Sequence, residues 1–433
     1  MDSYSQTLER IYNLRESVID LRLDRMERAL ALFDHPERTF ASLHIAGTNG
    51  KGSTAAMVQR VLSLAGYRTG LYTSPHLVSF TERMRIGDTE IGEAEVVALA
   101  DEVRRRCDDM APPLTFFEFV TVLAFIYFAR QGIDVAVIEV GLGGRLDATN
   151  VIVPLVAAIT TISLDHEAYL GSDELAIARE KGGIIKPGIP VACGNVSNPV
   201  ARLLKSIAME RGSLAYFLGE DFGFSLKNDG LFDYTGIKQY HANVAIGLRG
   251  RHQRANASVA LAILELVQDR FPVDEKNLRE GLATVRWPGR LEVMLERPTV
   301  ILDGAHNSEG IRALVDELNT SRQGRKIKLL FATMADKQWE LMLSALARAV
   351  DEVIFTRVKI ERSADPQQLA DKLTADIPHR VVDDSRLGLQ TLLDESHADD
   401  LIVVAGSLYL LGEVRPMLQQ LAAAQAANAQ GAN

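Results

Sequence analysis

Residues 44–54 read HIAGTNGKGST, and this stretch decides the fold class. The apolar residues 43–46 predict a strand. Gly47, Gly50 and Gly52 then let backbone amides approach an anion without side-chain obstruction. Lys51 adds a mobile positive charge, and a helix starting at Ser53 points its positive end at the same place. Strand, glycine loop, lysine and helix in that order predict a phosphate loop at the carboxyl end of a strand. It departs from GxxxxGK[ST]: Ile45 stands where that pattern has glycine, and Gly52 follows the lysine.

Outward from the loop, short apolar runs alternate with helical segments. Strands are expected at 69–73, 135–140, 156–162 and 190–192, and helices at 53–65, 93–107, 115–130, 173–182 and 199–211. This alternation predicts an α/β domain with a mostly parallel sheet covered by helices. Residues 213–248 change texture to Gly- and Asn-separated alternating runs, which predicts a small antiparallel insertion; a helix follows at 253–269. A second α/β rhythm begins near Pro298, with strands at 300–302, 328–332, 353–356 and 401–405 and a last helix from about Ser407. Two domains are expected, 1–297 and 298–433, consistent with 433 residues being too many for one ordinary core. The Ala- and Gln-rich tail is expected to fray.

Composition narrows the function classes. Hydrophobic residues are 47% and charged residues 24%, as in a soluble globular protein. A formal net charge of −10 argues against a general nucleic-acid or anionic-membrane surface, so a polyphosphate site must build its own local positive field. The two cysteines, Cys107 and Cys193, form no CxxC pair, which fits a reducing cytoplasm. The first residues carry charge where a signal peptide has an apolar stretch. The apolar run 119–129 is too short to span a bilayer and reads as a buried helix.

Polar residues collect at predicted strand ends. DVAVIEVGLGGRLDATN delivers Glu139 at the end of an apolar run, a hard oxygen donor suited to magnesium. ITTISLDHEAYLG ends a strand at Asp165 and His166, and LYTSPHL ends one at Ser74. In isolation each has a bland reading: a helix-capping acid, a structural histidine, a Ser-Pro turn. In a parallel sheet, however, all carboxyl ends lie on one edge, where ligands bind. Gly47–Gly52, Ser74, Glu139 and His166 each follow a different strand there, so a nucleotide–magnesium site is the economical reading. Lys181, in AREKGGIIKPG, reads locally as a cation at a helix carboxyl end. LDGAHNS places Asp303 and His306 at a later strand end, and WPGRLE places Arg290 just before it.

The ordered set AGTNGKGS, YTSPHL, EVGLGGRLDATN, SLDH, REKGGIIKPG, PGR, DGAHN and AGSLYLLGEVR resembles the Mur ligase superfamily, in its folylpolyglutamate synthase/dihydrofolate synthase branch. The resemblance spans about residues 15 to 415. It implies a central ATP-binding α/β domain and a smaller Rossmann-like carboxyl-terminal domain. It implies ATP as co-substrate, two magnesium ions and a monovalent cation. Asn49, Gly50, Lys51, Gly52, Asn256, Arg290 and Asp303 correspond to nucleotide-binding positions, and Ser74, Glu139 and His166 to metal ligands. Lys181 corresponds to a lysine carbamylated in the family; the candidate catalytic residues are Lys51, Lys181 and His306, the last in a supporting role near the incoming glutamate or nucleotide. Asp20, Leu21 and Arg22, Thr115, Phe116, Phe117 and Glu118, and Leu146, Asp147 and Ala148 correspond to pterin- or folate-contacting stretches. Arg22 stands where the family's IDLGLxRM/V loop has glycine.

The activity implied is ATP-dependent addition of L-glutamate to dihydropteroate or to tetrahydrofolate (poly)glutamates, through an acyl phosphate. The expected partners are small molecules, with no nucleic acid or membrane, and the expected assembly is a cytoplasmic monomer. Three rivals are an amide ligase of the same superfamily acting on a non-folate acid, a slow ATP-hydrolysing switch or binding protein, and a structural α/β protein with a vestigial loop that binds no nucleotide. About 40 residues precede the loop, too few for an additional Rossmann-like unit, which weighs against a peptidoglycan ligase.

Overall fold

The computed structural model describes residues 3–14, 22–227 and 230–431. Two compact units emerge. The first is Met1–Gly247 with Gln253–Arg286, and the second is Leu248–His252 with Trp287–Asn433.

The first unit is built on an eight-stranded sheet. Its strands are β1 (Ala41–Ala46), β2 (Thr69–Tyr72), β3 (Met84–Ile86), β4 (Thr89–Glu90), β5 (Val135–Glu139), β6 (Val156–Thr161), β7 (Val191–Asn195) and β8 (Ala215–Phe217), in the order β4-β3-β2-β5-β1-β6-β7-β8. From β2 to β8 along this order every pair is parallel; β3 and β4 add an antiparallel edge. The register aligns Ile45 with Glu139, Tyr72 with Ile138 and Ala46 with Ile159, so β2, β5 and β1 finish at nearly one level and β6 runs on past them to Thr161.

Central strands are buried along their length, as parallel sheets covered on both faces require. The helix Phe116–Arg130 covers the sheet and is buried from Glu118 to Phe128, as expected for a core helix. Its start is fixed by a capping box between Thr115 and Glu118. No helix among the described residues is long and apolar enough to cross a membrane.

Three further strands, β9 (Gly223–Leu226), β10 (Phe232–Thr235) and β11 (Tyr240–Val244), form the antiparallel insertion. It is smaller than expected. Residues 215–217, read as part of it, instead pair in parallel with β7 and extend the main sheet.

The second unit holds β12 (Glu292–Glu296), β13 (Thr299–Asp303), β14 (Ile327–Phe331), β15 (Glu352–Arg357), β16 (His379–Asp384) and β17 (Leu401–Ala405), in the order β12-β13-β17-β14-β15-β16. All pairs are parallel except β12–β13. The division expected at Arg297–Pro298 therefore falls inside a hairpin, because Glu296 pairs with Thr299 and Glu292 with Leu302. The units part earlier, after Arg286. Strand β16 escaped the sequence reading because it is a charged edge, HRVVDD, exposed at five of six positions. The tail expected to fray instead continues one helix, Leu408–Gly431, in keeping with the helix preference of alanine.

Candidate active site

The loop after β1 is shaped by the strand beside it. Thr160 donates its hydroxyl to the Asn49 carbonyl at 2.6 Å, and Asn49 N–H donates to Thr161 Oγ1 at 3.0 Å. Thr48 N–H reaches the Thr161 carbonyl at 2.8 Å. A Cβ on Gly47 would run into the Thr160 hydroxyl. These two threonines lie within the ITTISLDH stretch, ahead of the Asp165–His166 pair at its end. Their signal was hydroxyl-bearing residues at the carboxyl end of a buried strand.

Gly50 caps the helix Lys51–Leu64 in a left-handed conformation, φ 85°, with the Asn256 amide where a Cβ would lie. Only glycine fits both constraints. Asn256 sits on the helix His252–Leu266 and donates to Gln253 Oε1 at 2.9 Å. Gln253 in turn reaches the buried Ser53 hydroxyl at 3.4 Å. Ser53, which a standard phosphate loop would use on the metal, is thus engaged inside the protein.

Lys51 Nζ donates to the Gly47 carbonyl at 3.1 Å and lies 3.9 Å from Glu139 Oε1. Glu139 is buried and accepts the Ser74 N–H at 3.2 Å. The ends of β1, β2 and β5 therefore meet as the sequence predicted. His166 follows β6 in a left-handed conformation and is exposed, opening the short helix Glu167–Leu170. Among the described residues no three His, Cys, Asp or Glu side chains form a ready metal cage. Glu139 and the Ser74 hydroxyl still suit magnesium, a cation that keeps water and takes phosphate oxygens alongside one or two carboxylates.

Lys181 belongs to the same place. Its Nζ donates to the Gly47 carbonyl at 2.9 Å although it lies 134 residues away. Burial, with the Lys51 charge adding, pushes its amine down to about 7. The segment around it is fastened to the 141–150 stretch. Arg145 N–H donates to the Glu180 carbonyl at 2.7 Å and Asn150 Nδ2 to the Gly183 carbonyl at 3.3 Å. Arg211 donates to the carbonyls of Gly182, Gly183 and Ile185. A side chain at Gly183 would strike the Arg145 backbone. His44, inside the opening motif, contacts Thr149 Oγ1 at 2.8 Å and is held neutral by burial, which pushes it down to about 3.

The stretches matched to the first organic substrate also converge. Phe117 fills the space beside Gly141 and packs on Tyr72, its ring centroid 6.2 Å away. Phe116 stacks on Tyr12 at 5.6 Å and lies under the Arg83 guanidinium. The two acids in these stretches are turned to the protein. Glu118 pairs with buried Arg25 and accepts from Thr115 N–H and Oγ1, both at 2.8 Å. Asp147 accepts from Leu142 N–H at 2.9 Å and from Thr149 N–H and Oγ1, and burial raises its pKa. Leu146 is half-buried and Ala148 buried beside it. Arg22 is exposed; Asp20 and Leu21 lie outside the described residues.

In the second unit, Asp303 ends β13, buried, and accepts from Leu291 N–H at 2.9 Å and Ala305 N–H at 3.0 Å. Burial raises its pKa against the pull of Arg290, whose guanidinium occupies the space beside Gly304. His306 Nδ1 meets the Gly304 carbonyl at 2.7 Å. Arg290, Asp303 and His306 thus surround one glycine at a strand end of this unit.

Residues 45–264 match the Mur ligase middle domain and 289–408 the domain described as "Mur ligase, glutamate ligase domain". The chain is 31% identical over 416 residues to the Bacillus subtilis dihydrofolate synthase/folylpolyglutamate synthase, covering 92% of this chain and 95% of that one. It is similar to the Escherichia coli FolC structure in complex with DHPP and ADP: TM-score 0.90, 30% identity, 97% and 98% of the two chains covered. It is also similar to the Yersinia pestis bifunctional folylpolyglutamate synthase/dihydrofolate synthase complexed with AMPPNP and Mn: TM-score 0.87, 32% identity, 96% and 98% covered. With both domain models matched in order, and relatives aligned over nearly their full length, the chain belongs to the Mur ligase family, among the dihydrofolate synthase/folylpolyglutamate synthases.

Proposed function

We infer that this chain is an ATP-dependent amide ligase that adds L-glutamate to dihydropteroate, to reduced folate (poly)glutamates, or to both. The observation that carries the reading is the meeting of the Gly47–Gly52 loop, Lys51, Glu139 and Ser74 at the ends of three neighbouring strands. Such an edge binds a polyphosphate and its cation.

In this reading Asn49, Gly50 and Gly52 present backbone N–H groups to ATP phosphates, and Lys51 neutralises charge on the transferring phosphoryl group. Asn256, Arg290 and Asp303 contact the nucleotide. Ser74, Glu139 and His166 hold magnesium, which when bound supplies Lewis-acid charge at the phosphates. A carboxylate oxygen of the first substrate attacks the γ-phosphorus and ADP leaves. The glutamate amine then attacks the acyl carbon, and inorganic phosphate and a proton depart. The protein's task is chiefly positioning and water exclusion, since an acyl phosphate hydrolyses. His306 supports the incoming glutamate or the nucleotide. Arg22, Thr115, Phe116, Phe117, Leu146 and Ala148 line the first substrate, while Glu118 and Asp147 hold that wall together.

Lys181 fits carbamylation. A buried amine brought down to about 7 has a substantial neutral fraction at cytoplasmic pH, and only the neutral amine adds to CO2, releasing a proton and leaving a carboxylate-like group. We place the enzyme in the cytoplasm as a monomer whose partners are small molecules; a single monomer-sized species by light scattering is the expected result. The test of the reading is phosphate release from ATP and magnesium, which should require both glutamate and a pterin substrate.

A further inference from the structure

Arg25 lies on the helix Asp24–Ala31, three residues after Arg22, and is only 3% exposed. A buried guanidinium is costly unless it is paired and hydrogen-bonded. Its partner is Glu118, itself 4% exposed and 93 residues away in sequence. Arg25 Nε donates to Oε1 at 2.9 Å and to Oε2 at 2.8 Å. The same Oε2 accepts from Thr115 N–H and Oγ1, closing the cap of the helix Phe116–Arg130.

One carboxylate therefore serves two elements. It fixes the start of the helix that presents Phe116 and Phe117, and it fastens the helix Asp24–Ala31 that follows Arg22. The rings it holds are themselves in contact with other parts of the wall: Phe116 with Tyr12 and Arg83, and Phe117 with Tyr72. Phe117 also bears on Gly141, the start of the stretch that carries Leu146 and Ala148. The contacts of the Gly47–Gly52 loop among the described residues include Glu139, Thr160, Thr161, Ser163, Lys181 and Asn256, a different set of partners.

We propose that Arg25 is a positioning residue for the first organic substrate: through Glu118 it locks the segment bearing Arg22 onto the aromatic wall at Thr115–Phe117. The inference rests on the ligase reading above and adds a residue to it. A guanidinium is suited to this because its Nε–H lies against both carboxylate oxygens while the Thr115 groups still reach one of them.

The test is steady-state kinetics on Arg25→Met, Arg25→Lys and the double variant Arg25→Met/Glu118→Gln, which removes both charges and keeps a foldable core if the single change does not. The KM for dihydropteroate or tetrahydrofolate should rise about tenfold or more in Arg25→Met and in the double variant, with the KM for ATP within about twofold of wild type. Arg25→Lys should fall between, and the double variant should be no worse than Arg25→Met, because both act through one contact. An unchanged KM for the pterin, or a parallel rise in the KM for ATP, overturns the proposal. Wild-type protein that releases no phosphate in response to any pterin refutes the ligase reading itself, a result that the variants do not produce.

Discussion

Lys51 is held by the Gly47 carbonyl and sits within 3.9 Å of Glu139, so its charge is aimed at the loop before any nucleotide arrives. Lys51→Ala should lower kcat by about a hundredfold to a thousandfold, as loss of a preorganised charge does at a transferring phosphoryl group. The melting temperature should stay near that of wild type, since the amine is partly exposed; an active variant would refute the role. Lys181 makes a separate prediction. Enzyme stripped of CO2 should regain turnover, relative to untreated enzyme at the same pH, under one fixed CO2 pressure at pH 8 and much less at pH 6. The sign follows from an amine near 7: above it the neutral, CO2-reactive form dominates, and below it the inert ammonium does. Lys181→Ala should be inactive and partly rescued by short carboxylic acids; recovery equal at both pH values would contradict carbamylation. At this scale the sequence displayed Lys51 and Glu139 plainly, because a loop lysine and a strand-end acid are local signals. It did not display Thr160, Thr161 or Arg25, whose roles are contacts between segments about a hundred residues apart.

Gly183 shows what the elements require of each other. The end of the helix Glu174–Gly182 and the 144–150 stretch approach so closely that a Cβ at Gly183 would overlap Arg145 backbone atoms. Gly183→Ala should therefore destabilise the protein by about 1–3 kcal/mol in denaturant unfolding and displace Lys181 from Gly47, with activity falling further than stability alone explains. Unchanged stability and turnover would show that the two stretches part without cost. The two motifs were legible separately, EVGLGGRLDATN as a strand end and REKGGIIKPG as a helix end. Their union was not, since it depends on hydrogen bonds to backbone carbonyls, from the Arg145 N–H and the Asn150 side-chain amide, that no periodicity encodes. Edge elements were missed for a different reason. Strand β16 has no apolar face, and β12 joins a hairpin across Arg297–Pro298, where the pattern suggested a division.

Across the whole molecule, two α/β units each end a set of parallel strands in polar residues. Unit one offers the phosphate loop, Glu139, Ser74 and Lys181; unit two offers Arg290, Asp303 and His306 around Gly304. Strand order and loop chemistry make an ATP–cation site a physical expectation, whereas glutamate and the pterin come from family membership. The account is tested most directly by phosphate release from purified protein with ATP and magnesium, adding glutamate and either dihydropteroate or tetrahydrofolate singly and together. Release is predicted only when glutamate and a pterin are both present, in step with formation of the amide product. Release that is indifferent to the pterin or to glutamate would contradict it.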